Sequence, residues 1–313
     1  MGLFDRKKRI NFNDGSYFYG EVNSSGKMHG KGEYIFAGGD KYVGDFYNGD
    51  FHGQGTYYYA SGNRYEGAWV HDKRTGYGVF YFKDGDRYEG NFLEGQFSGK
   101  GIYFYPNGDK YDGEWRANKR NGKGTYFYAK SGNRYEGDWV EDNRTGQGTF
   151  FYADGEKYVG TFQNNDFQGF GIYYYSNGAR YEGNWEHDSK AGFGKYFYEN
   201  GDVYEGAWSG GKRNGQGIYR FHGGDRYEGE FKDSKFCGRG TYYYASGAIK
   251  SGIWENDQCI KEDGNGGSGN SGSGNGGGSG FGGGSSNGGA SSAGGNKNGF
   301  YTNDGRFIKS KIF

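Results

Sequence analysis

The sequence predicts an all-β protein, an elongated, solenoid-like array of antiparallel β-hairpins. Two observations carry that expectation. A Tyr-x-Gly-x-aromatic signature returns every 23 residues, at Tyr42, Tyr65, Tyr88, Tyr111, Tyr135, Tyr158, Tyr181, Tyr204 and Tyr227, with one longer step into Tyr135. A fixed period of this size belongs to arrays whose units are too small to bury a core alone and must stack on their neighbours. Aromatic residues make up 21 % of the chain, against 32 % for all hydrophobic types together, so Tyr and Phe supply the burial that Leu and Ile supply elsewhere. Read without the period, 69 glycines would suggest a low-complexity chain.

In chain order, residues 1–17 open with the basic run Arg6-Lys7-Lys8-Arg9 and continue through Asn13-Asp14-Gly15 as a half-hairpin into Phe18. Repeats fill residues 18–260, ten of them and a truncated eleventh ending Ser251-Gly252-Ile253-Trp254. The unit from Gly53 to Trp69 shows the local logic. Two β-rich runs, through Tyr57-Tyr58-Tyr59 and Arg64-Tyr65-Glu66-Gly67-Ala68-Trp69, flank a Gly/Asn/Ser turn, which is a hairpin signal. Tyr65, Gly67 and Trp69 alternate and so share one face of their strand. Gly67 leaves room for a ring from the adjacent strand. The segment from Val70 to Gly76 is expected to connect this hairpin to the next. Residues 261–298 form a Gly/Ser/Asn-rich linker with Phe281 as its apolar exception, spanning roughly 35 Å. Residues 299–313 regain aromatic and basic side chains and read as a docking segment that adds to a sheet edge, of this array or of a partner.

Composition narrows the function classes. Thirty-eight basic and thirty-eight acidic residues cancel, which argues against nucleic acid as a partner. No apolar run reaches the length of a membrane span, and no signal peptide is expected. Cys237 and Cys259 read as free thiols of a reducing cytoplasm. His29, His52, His71, His187 and His222 share no phase in the repeat, and no Cys/His metal spacing occurs. Gly76-Tyr77-Gly78 and its equivalents lack the third glycine and the helix of a phosphate loop. Glu66, Glu89, Glu136, Glu182, Glu205 and Glu228 read as solvated strand positions. No catalytic residue, cofactor or metal ligand is expected.

Comparing the repeats suggests two surface features. The third motif position is Trp in Trp69, Trp115, Trp139, Trp185 and Trp208, and five residues on stands a cation, Arg74, Arg120, Arg144, Lys190 and Arg213. It is Phe in Phe46, Phe92, Phe162 and Phe231, and five residues on stands Phe51, Phe97, Phe167 and Phe236. Co-varying positions usually touch, so a cation over each Trp ring is expected, with two packed rings elsewhere. The second feature is a stripe on the opposite face: Tyr58, Tyr81, Phe104, Phe127, Phe151, Tyr174, Phe197 and Tyr243. Uncovered, it would exceed the apolar patch that a soluble monomer tolerates, so it reads as a protein-facing surface, for a second copy or another protein. Neighbouring Lys stems are the competing cover.

The motif resembles the MORN repeat family, as in Tyr65-Glu66-Gly67-Ala68-Trp69 with Gly76-Tyr77-Gly78, and Tyr204-Glu205-Gly206-Ala207-Trp208 with Gly215-Gln216-Gly217. The first repeat departs from it, with Phe18 for Tyr and Val22 for the large aromatic. The family histidine survives only at His29 and His52. The resemblance implies consecutive hairpins in one twisted sheet, on the order of 100 Å long at about 4.8 Å per strand. It also implies a structural scaffold for protein–protein assembly in the cytoplasm and cytoskeleton, such as the radial spokes of a ciliary axoneme. The alternative it offers is a module that contacts membrane phosphoinositides at the cell cortex. Relatives that are enzymes carry a separate catalytic domain, for which no stretch of this chain has room.

Overall fold

The computed structural model describes residues 7–264, 299–301 and 307–309, and every regular element in them is a β-strand. Arg6, the stretch 265–298 and residues 302–306 and 310–313 lie outside the described residues, with most of the expected linker and docking segment. Two compact units, 1–187 and 188–313, divide the chain. In the first, strands from Lys7–Asn11 to Arg180–Glu186 form an antiparallel meander, each paired with the next. The second repeats the pattern from Ser189–Phe197 to Gln258–Glu262. Its last described residues pair with one another, Phe300 opposite Ile308.

Two kinds of turn alternate. The Gly/Asn/Ser turn forms as expected: the Tyr59 N–H donates to Asn63 O at 3.0 Å, and the Gly62 N–H to Tyr59 O at 2.9 Å. The segment expected to be a connector is itself a hairpin. His71 and Asp72 both have positive φ (45° and 63°), the two-residue turn whose twist suits paired strands, so Trp69 faces Arg74 and Val70 faces Lys73. The N-terminal half-hairpin is likewise complete, with Lys7–Asn11 paired along Tyr17–Glu21.

One face of the sheet is the core. The nine motif tyrosines, Tyr42 to Tyr227, are fully buried. Apart from Tyr181, each of these rings lies across a pair of facing glycines: a Cβ added at Gly67 would come within 2.5 Å of the Tyr65 hydroxyl, and so would one at Gly78. The ring over Gly67 thus belongs to its own strand, two residues back; the expected neighbour-strand contact is made at Gly78. Beyond the glycine the register shifts between Gly67 and Trp69, leaving Ala68 as a bulge. The Tyr65 hydroxyl donates to Ala68 O at 3.0 Å, and the Trp69 indole N–H donates to Gly55 O at 3.2 Å. Backbone polarity beneath the rings is answered within the motif.

Candidate interaction surface

On the core face, the residue five beyond the third motif position fills one socket, between the Tyr of its own repeat and the third aromatic of the next. Phe51 stacks on Tyr42 (3.9 Å between centroids), Phe97 on Tyr88 (3.8 Å), Phe167 on Tyr158 (3.7 Å) and Phe236 on Tyr227 (3.8 Å). Each also meets the Phe of its own repeat edge-on, as Phe46 and Phe51 do at 5.5 Å, so the expected two-ring packing is present.

The cation partners sit otherwise than expected. Trp69 and Arg74 are directly opposed across the tight hairpin, as are Trp115 and Arg120, Trp139 and Arg144, and Trp208 and Arg213. The charged ends, however, turn away from those Trp rings. Arg74 lies over Tyr65, Phe80 and Phe92 (5.6, 5.0 and 5.5 Å), and Arg144 over Tyr135, Phe150 and Phe162. Arg213 lies over Tyr204, Tyr219 and Phe231, while Arg120 and Lys190 reach the following repeat's Trp139 and Trp208. The cause is the next tight turn. Arg74 donates to Gly95 O at 2.6 Å and Arg144 to Asn165 O at 2.8 Å, charge-assisted bonds stronger than a ring contact. The cation is therefore a clasp between repeats. Trp185 belongs to the same set, its indole N–H donating to Gly171 O at 3.2 Å. Burial pushes the Lys190 ammonium down to about 8.

A second clasp escaped sequence reasoning. The residue two before most motif tyrosines binds the next repeat; Ala179, two before Tyr181, carries no side-chain acceptor. Asp109 accepts the Tyr126 hydroxyl (3.0 Å) and the Ala129 N–H (2.8 Å); Asp40, Asp202 and Asp225 do the same with Tyr57 and Ala60, Tyr219 and His222, and Tyr242 and Ala245. These two bonds hold the Asp225 carboxyl below its ordinary range. Glu156 takes the Tyr173 hydroxyl at 2.5 Å. Where the next strand carries Phe80 or Phe150 instead of Tyr, the position is Asn63 or Asn133, which keeps only the backbone bond. Ala179 apart, acid with Tyr and Asn with Phe was a readable signal.

The opposite face carries the predicted stripe, and cations break it. Arg64 lies 4.2 Å over Tyr81, Arg87 4.3 Å over Phe104, Arg134 4.4 Å over Phe151 and Arg226 4.3 Å over Tyr243. Lys157 covers Tyr174 at 4.5 Å and Lys195 covers Phe197 at 5.2 Å. Each of those arginines is held by the glutamate two residues on, Glu66 at 3.0 Å, Glu89 at 2.8 Å, Glu136 at 2.9 Å and Glu228 at 3.1 Å. Those glutamates are thus ion-pair partners as well as solvated positions, and Glu182 (with Arg180) and Glu205 (with Lys195) join them. Tyr58 and Phe127 stay open, 42 % and 40 % exposed, because the lysines opposite them, Lys41 and Lys110, turn to Glu33 and Asp112. More open still are Tyr77, Phe170 and Phe193, at about 60 %. They stand between the two glycines of Gly-x-Gly, and strand alternation places Tyr77 on the face of Tyr81. The first unit also holds two shallow hollows of about 570 and 420 Å³. Glycines are prominent in both, with Lys31, Glu33 and Glu66 in one and Lys100, Asp112 and Glu136 in the other.

Stacked hairpins of one motif, clasped turn to turn, define an all-β repeat array. Ten successive matches to the MORN repeat model, at 24–41, 42–64, 65–87, 88–110, 111–132, 135–157, 158–180, 181–203, 204–226 and 227–249, place the chain in the MORN repeat family. A search of curated proteins finds no match to the sequence. Among solved structures, the chain is similar to the TCP10c domain of Drosophila melanogaster Sas-4 (15 % identity, 57 % of this chain and 99 % of that one, TM-score 0.30). It is also similar to the Drosophila melanogaster SAS-4 TCP domain in complex with a proline-rich motif of Ana2 (11 %, 56 % and 83 %, TM-score 0.26), and to the Danio rerio CPAP TCP10 domain in complex with a STIL peptide (14 %, 79 % and 93 %, TM-score 0.24). Likenesses this distant bear no weight on function.

Proposed function

We propose that the chain is a non-catalytic scaffold that offers the polar face of its sheet to other proteins. Its setting in this reading is a cytoskeletal assembly of the cytoplasm, such as the radial spokes of a ciliary axoneme. MORN repeats point to protein interaction. The observation that carries the reading is the set of open rings, Tyr58, Tyr77, Phe127 and Phe170, on a face where cations cap Tyr81, Phe104 and Phe151. Aromatic side chains anchored among charges are the usual anchors of protein interfaces. The test is in-cell cross-linking to a tagged full-length chain in ciliated cells, compared with a chain carrying Ser at these four exposed positions. Loss of axonemal proteins from the cross-linked set supports the reading, and an unchanged set overturns it. The membrane-contact reading rests on exposed Lys7, Lys8 and Arg9. Salt-sensitive binding to anionic vesicles that is lost when all three become Ala would favour it instead.

A further inference from the structure

Buried tyrosine hydroxyls in the first unit differ in what receives the proton. The motif tyrosines donate to amide carbonyls, as Tyr111 does to Glu114 O and Tyr158 to Thr161 O, both at 3.0 Å. A carbonyl accepts a hydrogen bond but is too weak a base to keep a proton. Tyr126 and Tyr173 donate instead to carboxylates, Asp109 Oδ2 at 3.0 Å and Glu156 Oε2 at 2.5 Å. A carboxylate within this reach can take the proton outright. Both pairs are buried: Tyr126 and Asp109 are each 3 % exposed, Tyr173 and Glu156 8 % and 7 %. The equivalent pair of Tyr57 with Asp40 is only half-buried.

Oxidisable rings lead to each pair. Tyr103 meets Tyr105 at 4.6 Å, Tyr105 meets Tyr126 at 5.7 Å, and the Trp139 indole stands 6.2 Å from Tyr126. Tyr152 (5.8 Å), Tyr175 (4.6 Å) and Trp185 (6.0 Å) surround Tyr173. Tyr103, Tyr105, Tyr152 and Tyr175 are half-buried, so an oxidant in solution reaches them. Removing an electron from a phenol makes its proton strongly acidic. At a motif Tyr no base stands ready, and the positive charge stays buried at high cost. At Tyr126 the proton passes to Asp109, which leaves a neutral radical beside a neutral acid.

We propose that Tyr126 and Tyr173 are redox sites, where one-electron oxidation of the array comes to rest as a shielded tyrosyl radical. The oxidant is of the one-electron class, such as the carbonate radical anion, and is itself reduced by one electron. An outer ring supplies that electron and is refilled from Tyr126. The Tyr126 O–H bond breaks, its proton moves to Asp109 Oδ2, and the unpaired electron stays on the phenoxyl ring. Tyr173 hands its proton to Glu156 in the same way. A donor that returns one electron draws the proton back and restores both pairs. Exclusion of water protects the radical from side reactions meanwhile.

The test is flash oxidation of the full-length chain by ruthenium tris-bipyridine with persulfate, read by electron paramagnetic resonance. The expected result is a tyrosyl signal that outlives the one from the urea-unfolded chain. Tyr126→Phe combined with Tyr173→Phe should lose the long-lived signal. Phe is native to this position in other repeats, at Phe80 and Phe150, so the double variant should keep its strands, which circular dichroism checks. Asp109→Asn combined with Glu156→Gln keeps every ring and should shorten the signal's life. Tyr57→Phe combined with Tyr242→Phe removes two half-buried phenols that also face carboxylates, Asp40 and Asp225, and should leave the signal unchanged. A radical as short-lived in the folded chain as in the unfolded one overturns the proposal. So does a long-lived signal that survives loss of the Tyr126 and Tyr173 hydroxyls.

Discussion

The Tyr111 hydroxyl donates to the Glu114 carbonyl at 3.0 Å, at the one residue that the ladder to the following strand leaves out. The same bond joins Tyr42 to Asp45, Tyr88 to Asn91, Tyr158 to Thr161 and Tyr204 to Ala207, whatever the side chain of the acceptor residue. The bulge frees a carbonyl next to a buried ring, and only a ring with a hydroxyl can answer it. Tyr is thus required by hydrogen bonding, and Phe of equal bulk is not equivalent. Tyr111→Phe should lower stability by about 1–3 kcal/mol, the range for stranding a partly buried acceptor. Urea unfolding measures it, and a loss within error of zero would show that water satisfies Glu114.

Glycine position separates two kinds of substitution. A Cβ at Gly124 would come within 2.3 Å of the Tyr111 hydroxyl and 2.5 Å of its ring carbon, with the ring pinned by its bond to Glu114. At Gly38, in a turn, nothing lies within 4 Å. Gly124→Ala should cost about 3 kcal/mol or more by overpacking, while Gly38→Ala should stay within about 0.5 kcal/mol. Equal thermal shifts for the two would contradict a ring laid across glycine.

The clasp between Asp109 and Tyr126 predicts coupling. Asp109→Asn should cost about 1–2 kcal/mol by weakening a charge-assisted bond to a buried hydroxyl. Paired with Tyr126→Phe, it recreates the arrangement of Asn133 with Phe150, where the side chain binds only the Ala153 N–H. The double variant should therefore be less destabilised than the sum of the singles by about 1 kcal/mol in a double-mutant cycle. Additive losses would mean the two side chains act independently.

Much of this was legible in the sequence because period, alternation and turn chemistry all act locally. The hairpins, the Tyr-Gly-Trp face and the packing of Phe46 with Phe51 follow from them. The reach of Arg74 did not. Register alone set it opposite Trp69, but its guanidinium follows the Gly95 carbonyl of the next repeat, and long side chains choose among acceptors that only coordinates reveal. The Asp109–Tyr126 clasp was within reach, since acid goes with Tyr and Asn with Phe in every motif-Tyr repeat except that of Ala179, but the two residues lie 17 apart, across a repeat boundary. The face of Tyr77 was hidden by its motif: between two glycines it read as a failed phosphate loop, whereas alternation puts it on the open side.

Alkaline pH should unfold the array, after a window in which one group acts in the opposite sense. Burial raises the phenols of Tyr42, Tyr65, Tyr88, Tyr111, Tyr135 and Tyr204 well above 10.0. A group whose folded pKa is raised contributes stability that is present below its unfolded value and lost as pH climbs beyond it. Six such groups make stability fall steeply above about pH 10. Lys190 is the reverse. Its folded pKa of about 8 lies below the ordinary 10.5, so between those values the unfolded chain holds a proton that the folded chain has released, and stability rises with pH. Urea midpoints from pH 7 to 11 should therefore climb or level from about pH 8 and then drop, with tyrosinate absorbance appearing at the unfolding transition. Lys190→Met should remove the climb and leave the drop. A smooth tyrosinate titration centred near 10, without loss of structure, would show that the motif phenols are open to solvent.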